Sequence, residues 1–313
     1  MPLDLQRPLS VVRPWRALVL AVACACAAGC SIEGYAIDRL GDALAGSGQS
    51  FASDDDPELV REAAPFSLKL VEGLLAERPE HPGLLLAAAS GFVQYAYAFV
   101  QQDADRLEER DLAAAEELRA RARRLYSRAR RYGLRGLEVA HPGFEAALRH
   151  DPRAAVARAE ADDVAFLYWT AAAWGAEVAL SKDRPEVVAD QPVVEALIDR
   201  AFALDPRFGR GAIDTFLISY ERARPGGAHE WRARARGHLE QAIAKSAGGL
   251  AAPFVAYAEE VAIQEQDRAE FEALLGAALA IDPDLAPESR LENLVMQRRA
   301  RWLLARADDL FVE

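Results

Sequence analysis

Cysteine is the first scarcity. The chain has three cysteines in 313 residues, and all of them fall before position 31. A disulfide framework and a paired-thiol metal site are therefore excluded from the rest of the chain. Histidine is scarce too. His81 and His141 each precede a proline at a chain break, and His150 sits at a helix end, where it complements the dipole. His229 and His238 form no HExxH or paired ligand spacing, so no metal site is expected. There is no GxSxG elbow and no GxxxxGK[ST] phosphate loop, and no motif calls for a cofactor. Alternating apolar and polar strand patterns are missing. Positive charge is in deficit: the formal net charge is −12, which argues against nucleic acid as a partner.

What is present begins with an export leader over residues 1–29. Arg7, Arg13 and Arg16 form its basic region, and Ala17–Ala28 forms an apolar stretch too short for a stable span. It ends Ala27-Ala28-Gly29-Cys30, small residues before a cysteine as in a bacterial lipobox, with Ala27 where leucine is usual. Cys30 is thus the expected lipidated first residue of the mature chain. Ser31 in place of an aspartate favours the outer over the inner membrane. Without the leader the formal charge is about −14, since three Arg and one Asp leave with it. Residues 30–57 read as a flexible, lipid-anchored tether, small and acidic up to Pro57.

Residues 58–313 form the body. They are rich in Ala, Leu, Arg and Glu and break at Pro and Gly into helix-length pieces, so the expected class is all-α. The organising piece is Asp162–Leu180, apolar on every side and opened by Asp162 and Asp163, which suit a helix start. Its Tyr168, Ala172, Gly175 and Ala179 share one mostly small side; Leu167, Ala171, Trp174 and Val178 share another. Glu177 lies among aromatics. It either meets an arginine in the core or faces a ligand. The long Arg-rich helix from Leu107 to Leu137 places Glu108, Glu109, Asp111, Glu116 and Glu117 ahead of its arginines, an order that suits the dipole and i,i+4 pairs.

Three helices end in Asp-Pro, at Pro152, Pro206 and Pro283. Each carries alanine five residues earlier, at Ala147, Ala201 and Ala278. A small residue lets the paired helix approach and the proline stops the first one, which is the tail of the tetratricopeptide pattern. The sites are not spaced by multiples of 34, so the array is degenerate, with insertions. The expected architecture is a compact curved array of tetratricopeptide-like hairpins.

Such arrays bind ligands or partners on concave faces. Aromatics cluster at Tyr95, Tyr97 and Phe99 and again at Tyr168, Trp169 and Trp174. Their apolar faces and polar tips suit an amphipathic small molecule, and they serve equally as core filling. With Glu177 they are the candidate pore residues. No catalytic residue is proposed. Glu259-Glu260, beside Tyr257, is the nearest thing to an acid/base pair.

The lipobox Cys30, RRYGLRGL at 130–137, LYWTAAAWG at 167–175 and QDRAEF at 266–271 together resemble the TRAP-transporter-associated T component family. The resemblance spans nearly the whole mature chain and is most specific at 167–175. It implies a non-catalytic, periplasm-facing lipoprotein of tetratricopeptide-like hairpins. Its partner would be a TRAP-type periplasmic solute-binding protein, with a small hydrophobic or organic acid ligand, a pore through each protomer, and self-association, for example as a trimer. The alternative is a tetratricopeptide-type scaffold lipoprotein for envelope protein assembly, with no small ligand.

Overall fold

The computed structural model describes residue 39 and residues 48–224 and 230–312. The leader, Cys30 and His229 lie outside the described residues. Among the described residues there is no strand, and the all-α expectation holds. The end of the expected tether is packed: helix α1 (Gly48–Ala52) lies against the C-terminal region, and Arg290 donates to the Ser53 carbonyl at 3.0 Å.

Helix α2 (Pro57–Glu77) starts where Asp56 accepts from the amides of Glu58 and Leu59, with Pro57 in the first turn, where no donor is lost. Helix α3 (Pro82–Leu107) continues to Leu107 through a π-turn at Ala96–Gln101. Its length and composition would suit a membrane span, but Leu84, Leu85, Ala88, Ala89 and Phe92 are buried in this body. Helix α4 (Leu112–Ala140) is capped by Asp111, which accepts from the Ala114 amide. It begins after the residue-107 start read from the pattern, because residues 108–111 turn the chain.

Helices α5 (Phe144–His150) and α6 (Pro152–Val156) flank the first Asp-Pro. Asp151 ends one helix and caps the next by accepting from the Ala154 amide, so proline here opens a helix as well as closing one. Helix α7 (Val164–Ala179) is the apolar helix singled out in the sequence. Helix α8 (Pro185–Val188) is a single turn in the polar loop. Helices α9 (Gln191–Leu204), α10 (Ala212–Tyr220) and α11 (Trp231–Ser246) follow. Helix α12, residues 252–265, holds a second π-turn at Ala258–Ala262. Helices α13 (Arg268–Ala280), α14 (Arg290–Leu304) and α15 (Ala307–Leu310) close the chain.

The main core runs from α2 to α10, with α4 and α9 packed on α7. A second core joins α12 to α15, and Tyr97 of α3 packs against both. Two glycines decide how closely α4 meets α7. A Cβ on Gly136 would sit 2.1 Å from the Phe166 ring, and one on Gly133 would sit 2.2 Å from Thr170 Oγ1. The RRYGLRGL run therefore provides a flat stripe for α7.

The array closes on itself. Arg298 of α14 pairs with Glu58 of α2 at 2.8 Å and donates to the Ala98 carbonyl of α3 at 3.0 Å. Arg299 pairs with Asp105 of α3 at 2.7 Å, and Arg306 pairs with Glu109. The last helices are thereby fastened to the first hairpin.

Candidate functional site

Helix α7 has two unlike sides. Phe166, Leu167, Thr170, Ala171, Ala173 and Trp174 are buried. Ala165, Tyr168, Trp169, Ala172 and Ala176 share the opposite side at 100° per residue, and all five remain partly exposed. An apolar side on the central helix of the array is thus left without a helix laid closely across it.

Tyr168 carries most of the geometry on that side. Its ring lies edge-on to Trp169 at 4.9 Å between centroids and 5.2 Å from Phe208. Phe208 is in the short 3-10 turn Phe208–Arg210, which ends at Gly211 with φ +101. Arg210 of the same turn bonds Glu288 Oε1 and Ser289 Oγ, each at 2.9 Å, drawing the start of α14 alongside. Glu292 stands in the first turn of α14. It keeps exposed surface, while burial under the surrounding protein pushes its carboxyl up against the pull of Arg210. Burial also raises the Tyr168 hydroxyl, and Glu292 raises it further.

On α14, Glu292, Met296 and Arg299 fall at i, i+4 and i+7, hence on one side. Met296 Sδ lies 3.8 Å from the Tyr97 hydroxyl. Arg299 donates to Glu259 at 2.6 Å and to Asp105 at 2.7 Å. The two π-turns thus meet at Arg299: one places Tyr97, the other Glu259 and Glu260. A π-turn widens a helix by one residue and re-aims the side chains around it, often at functional sites. Burial raises the Tyr97 hydroxyl, with Glu259 adding to it. The Glu260 carboxyl is pushed up to about 7 by burial and by Glu259, against Arg222, Lys182 and Arg299.

The sequence-selected residues divide into three groups. Tyr168, Trp169 and Tyr97 border these partly open sides. Tyr95 and Phe99 are buried, their rings 5.8 Å apart, with Arg121 over Tyr95 and Arg61 and Arg298 over Phe99. That packing joins α2, α3, α4 and α14. Trp174 and Glu177 point to the other side of α7: Trp174 Nε1 donates to Asp190 at 3.1 Å, Arg130 lies 4.5 Å from its ring, and Arg130 is 3.4 Å from Glu177. Burial pushes the Glu177 carboxyl up, and Arg130 opposes it. The structure does not bring this pair to Tyr168.

Phe208, Glu292, Met296 and Arg299 were missed by sequence reasoning, and Glu260 entered only as an acid/base candidate. Glu292 had one available signal, a lone carboxylate at the spacing of Met296 and Arg299. The π-turns had none, since their residues read as ordinary helix.

The fold and these sides define a closed helical-hairpin protein with aromatic and unpaired polar groups on partly covered inner helix sides. The family model described as TRAP transporter T-component matches residues 53–311, and the chain belongs to that family. It is also similar to an uncharacterized protein of Treponema pallidum (strain Nichols), 32% identical over 311 residues, covering 93% of this chain and 95% of the relative. The family is an accessory transport component associated with TRAP transporters, and so with the cell envelope.

Proposed function

We propose that the chain is a lipid-anchored, periplasm-facing accessory of a TRAP-type transport system, and that it passes a small apolar or amphipathic ligand to or from a solute-binding protein. In this reading Cys30 carries the lipid and the ligand occupies a lumen between α7 and α14. Tyr168, Trp169, Ala172 and Ala176 line one wall, and Glu292, Met296 and Arg299 line the other. Tyr97 and Glu260 stand toward the Arg299 end.

One observation carries the reading: Tyr168, Trp169, Ala172 and Ala176 form an apolar side of the central helix that stays partly exposed while the opposite side is buried. An apolar side left open in the middle of the array suits a ligand-facing wall. The closure of α14 onto α2 and α3 supplies the enclosure, and the aromatic lining suits a ligand with an apolar body.

The test is a mild-detergent pull-down of the tagged full chain from its envelope, with mass spectrometry of proteins and bound small molecules. The expected result is a periplasmic solute-binding protein together with a small organic ligand, the ligand being lost from an Ala172→Trp variant of unchanged helicity. Recovery of envelope assembly proteins alone, with no small molecule, overturns this reading in favour of the scaffold.

A further inference from the structure

Helix α4 carries its arginines in two unlike rows. Arg119, Arg123 and Arg130 are taken up by the chain itself. Arg119 pairs with Glu108 at 2.7 Å and with Glu116 at 2.8 Å, Arg123 donates to the Leu180 carbonyl at 2.9 Å, and Arg130 lies against Glu177 and the Trp174 ring. The other row is Arg121, Arg124, Arg128, Arg131 and Arg135. Their spacings of three and four residues keep them within an arc of about 80° and carry the row along about 21 Å of the helix. Arg121, Arg124, Arg131 and Arg135 are exposed, and Arg128 is partly so.

This second row is nearly without counter-charge. Among the described residues only Arg128 reaches a carboxylate, Glu72 at 3.5 Å, and Glu72 is already held by Lys69 at 2.6 Å and by the Tyr132 hydroxyl at 2.8 Å. Glu117 stands one turn before Arg121, where an ion pair is expected, and none forms among the described residues. Two of the arginines are steadied by rings instead: Arg121 lies 5.9 Å from the Tyr95 ring and Arg128 5.4 Å from the Phe92 ring. A ring holds a guanidinium without cancelling its charge. Like charges at these spacings destabilise the helix that carries them, so folding alone does not call for the row. It also runs against the net charge of −12.

We infer that the exposed arginine row of α4 docks an acidic protein face, a run of Asp and Glu side chains about 20 Å long, and that this face belongs to the solute-binding protein. The inference rests on the transport reading above and deepens it by naming where the partner sits. Charge complementarity selects the partner, and the arginine fork binds a carboxylate through two hydrogen bonds. A protein face is also better matched than an anionic bilayer. Glu117 continues the same side toward the helix start, where Glu109 and Asp111 are exposed as well. A bilayer has no edge and would meet those carboxylates too, whereas a protein face can end at Arg121.

The test pulls down the tagged full chain from its envelope in parent form and with Arg124→Glu and Arg131→Glu combined, and quantifies the solute-binding protein by mass spectrometry. The expected result is at least about tenfold less of it with the charge-reversed chain at unchanged helicity. Arg124→Lys with Arg131→Lys should keep most of the recovery, and recovery with the parent should fall as salt is raised. In a second series a photo-crosslinking residue replaces Arg124 alone, which serves if the double variant fails to fold; it should join to an Asp- and Glu-rich peptide of the solute-binding protein. Equal recovery with the charge-reversed chain overturns the docking inference and leaves the transport reading standing. Crosslinks to phospholipid, or to a second copy of this chain, in place of that peptide overturn it in favour of a membrane or a self-contact. Failure of the parent to recover any solute-binding protein removes the transport reading along with it.

Discussion

Helix α7 meets α4 across two glycines, where Phe166 and Thr170 come so close that a methyl group cannot enter. One half-turn away, Ala165, Tyr168, Trp169, Ala172 and Ala176 are only partly covered. Both sides are apolar or small, so hydrophobicity alone does not distinguish them. The difference lies in the partner. Gly133 and Gly136 offer α7 a flat stripe that its ring and hydroxyl can fill. On the other side Tyr168 meets the Phe208 ring of a short turn at 5.2 Å rather than a glycine-flattened helix. A helix apolar all round is usually read as wholly core; here its apolar character serves packing on one side and leaves a wall on the other.

The comparison depends on α14 being held in place, and removing its tether should have the largest effect. Arg299→Ala leaves Glu259 and Asp105 facing each other without the guanidinium they share. Loss of one partner from a mostly buried ionic cluster costs about 3–5 kcal/mol. Thermal unfolding should show a drop of that size, and protection against amide exchange should fall in α14 ahead of α7. Uniform loss across both helices would mean that the closure does not act as a separable latch.

The tight side can be broken directly. Gly136→Ala places a methyl group where Phe166 already stands, and the expected cost is about 2–3 kcal/mol in chemical denaturation. A double variant with Phe166→Leu should recover part of it, because the removed ring makes the room. If Gly136→Ala is neutral, the close approach of α4 and α7 is not what the glycines are for.

These sides were unequally legible in the sequence. The all-α class, the hairpin breaks and α7 itself followed from proline and glycine positions and from the apolar pattern, because local signals set them. Tyr168 and Trp169 were legible as an aromatic cluster, but Trp174 and Glu177 were grouped with them. Helical spacing separates these residues by face, yet only the position of Arg130 tells which face is core. Glu292 and Phe208 were out of reach because they come to Tyr168 from segments distant in the chain. The π-turns depend on tertiary packing and leave no mark on composition. Asp151 shows a milder limit: in the sequence Asp-Pro marks a stop, and the same pair also begins α6.

The surroundings of Arg299 give a prediction in pH. Glu260 has a carboxyl pushed up to about 7 in the folded protein, above the ordinary carboxylate range of the unfolded chain. Between those values the folded state binds the extra proton, so this group's contribution to stability is greatest at low pH. It is lost as pH rises from about 4.5 to about 7. Glu260→Gln removes the loss. The variant should match the parent near pH 4.5 and exceed it above pH 7, by on the order of 2 kcal/mol. Melting curves across that range measure the difference, which should widen with pH. A constant offset would mean that Glu260 does not titrate in the folded state as its surroundings require.

The smallest effect on stability should come from the open side, and it separates the two sides most cleanly. Ala172 sits between Tyr168 and Ala176 on the partly exposed side of α7. If that side borders open space, Ala172→Leu adds apolar volume where no close-packed neighbour must move, and stability should change by less than about 1 kcal/mol. The same added volume on the α4 side forces atoms apart. Binding should respond in the opposite order: the added side chain narrows the proposed lumen, so ligand binding should fall while Gly136→Ala, once folded, keeps it. Denaturation and titration on the same two proteins make the comparison. A large destabilisation by Ala172→Leu would show that the open side is core after all, with Tyr168 and Trp169 there as filling.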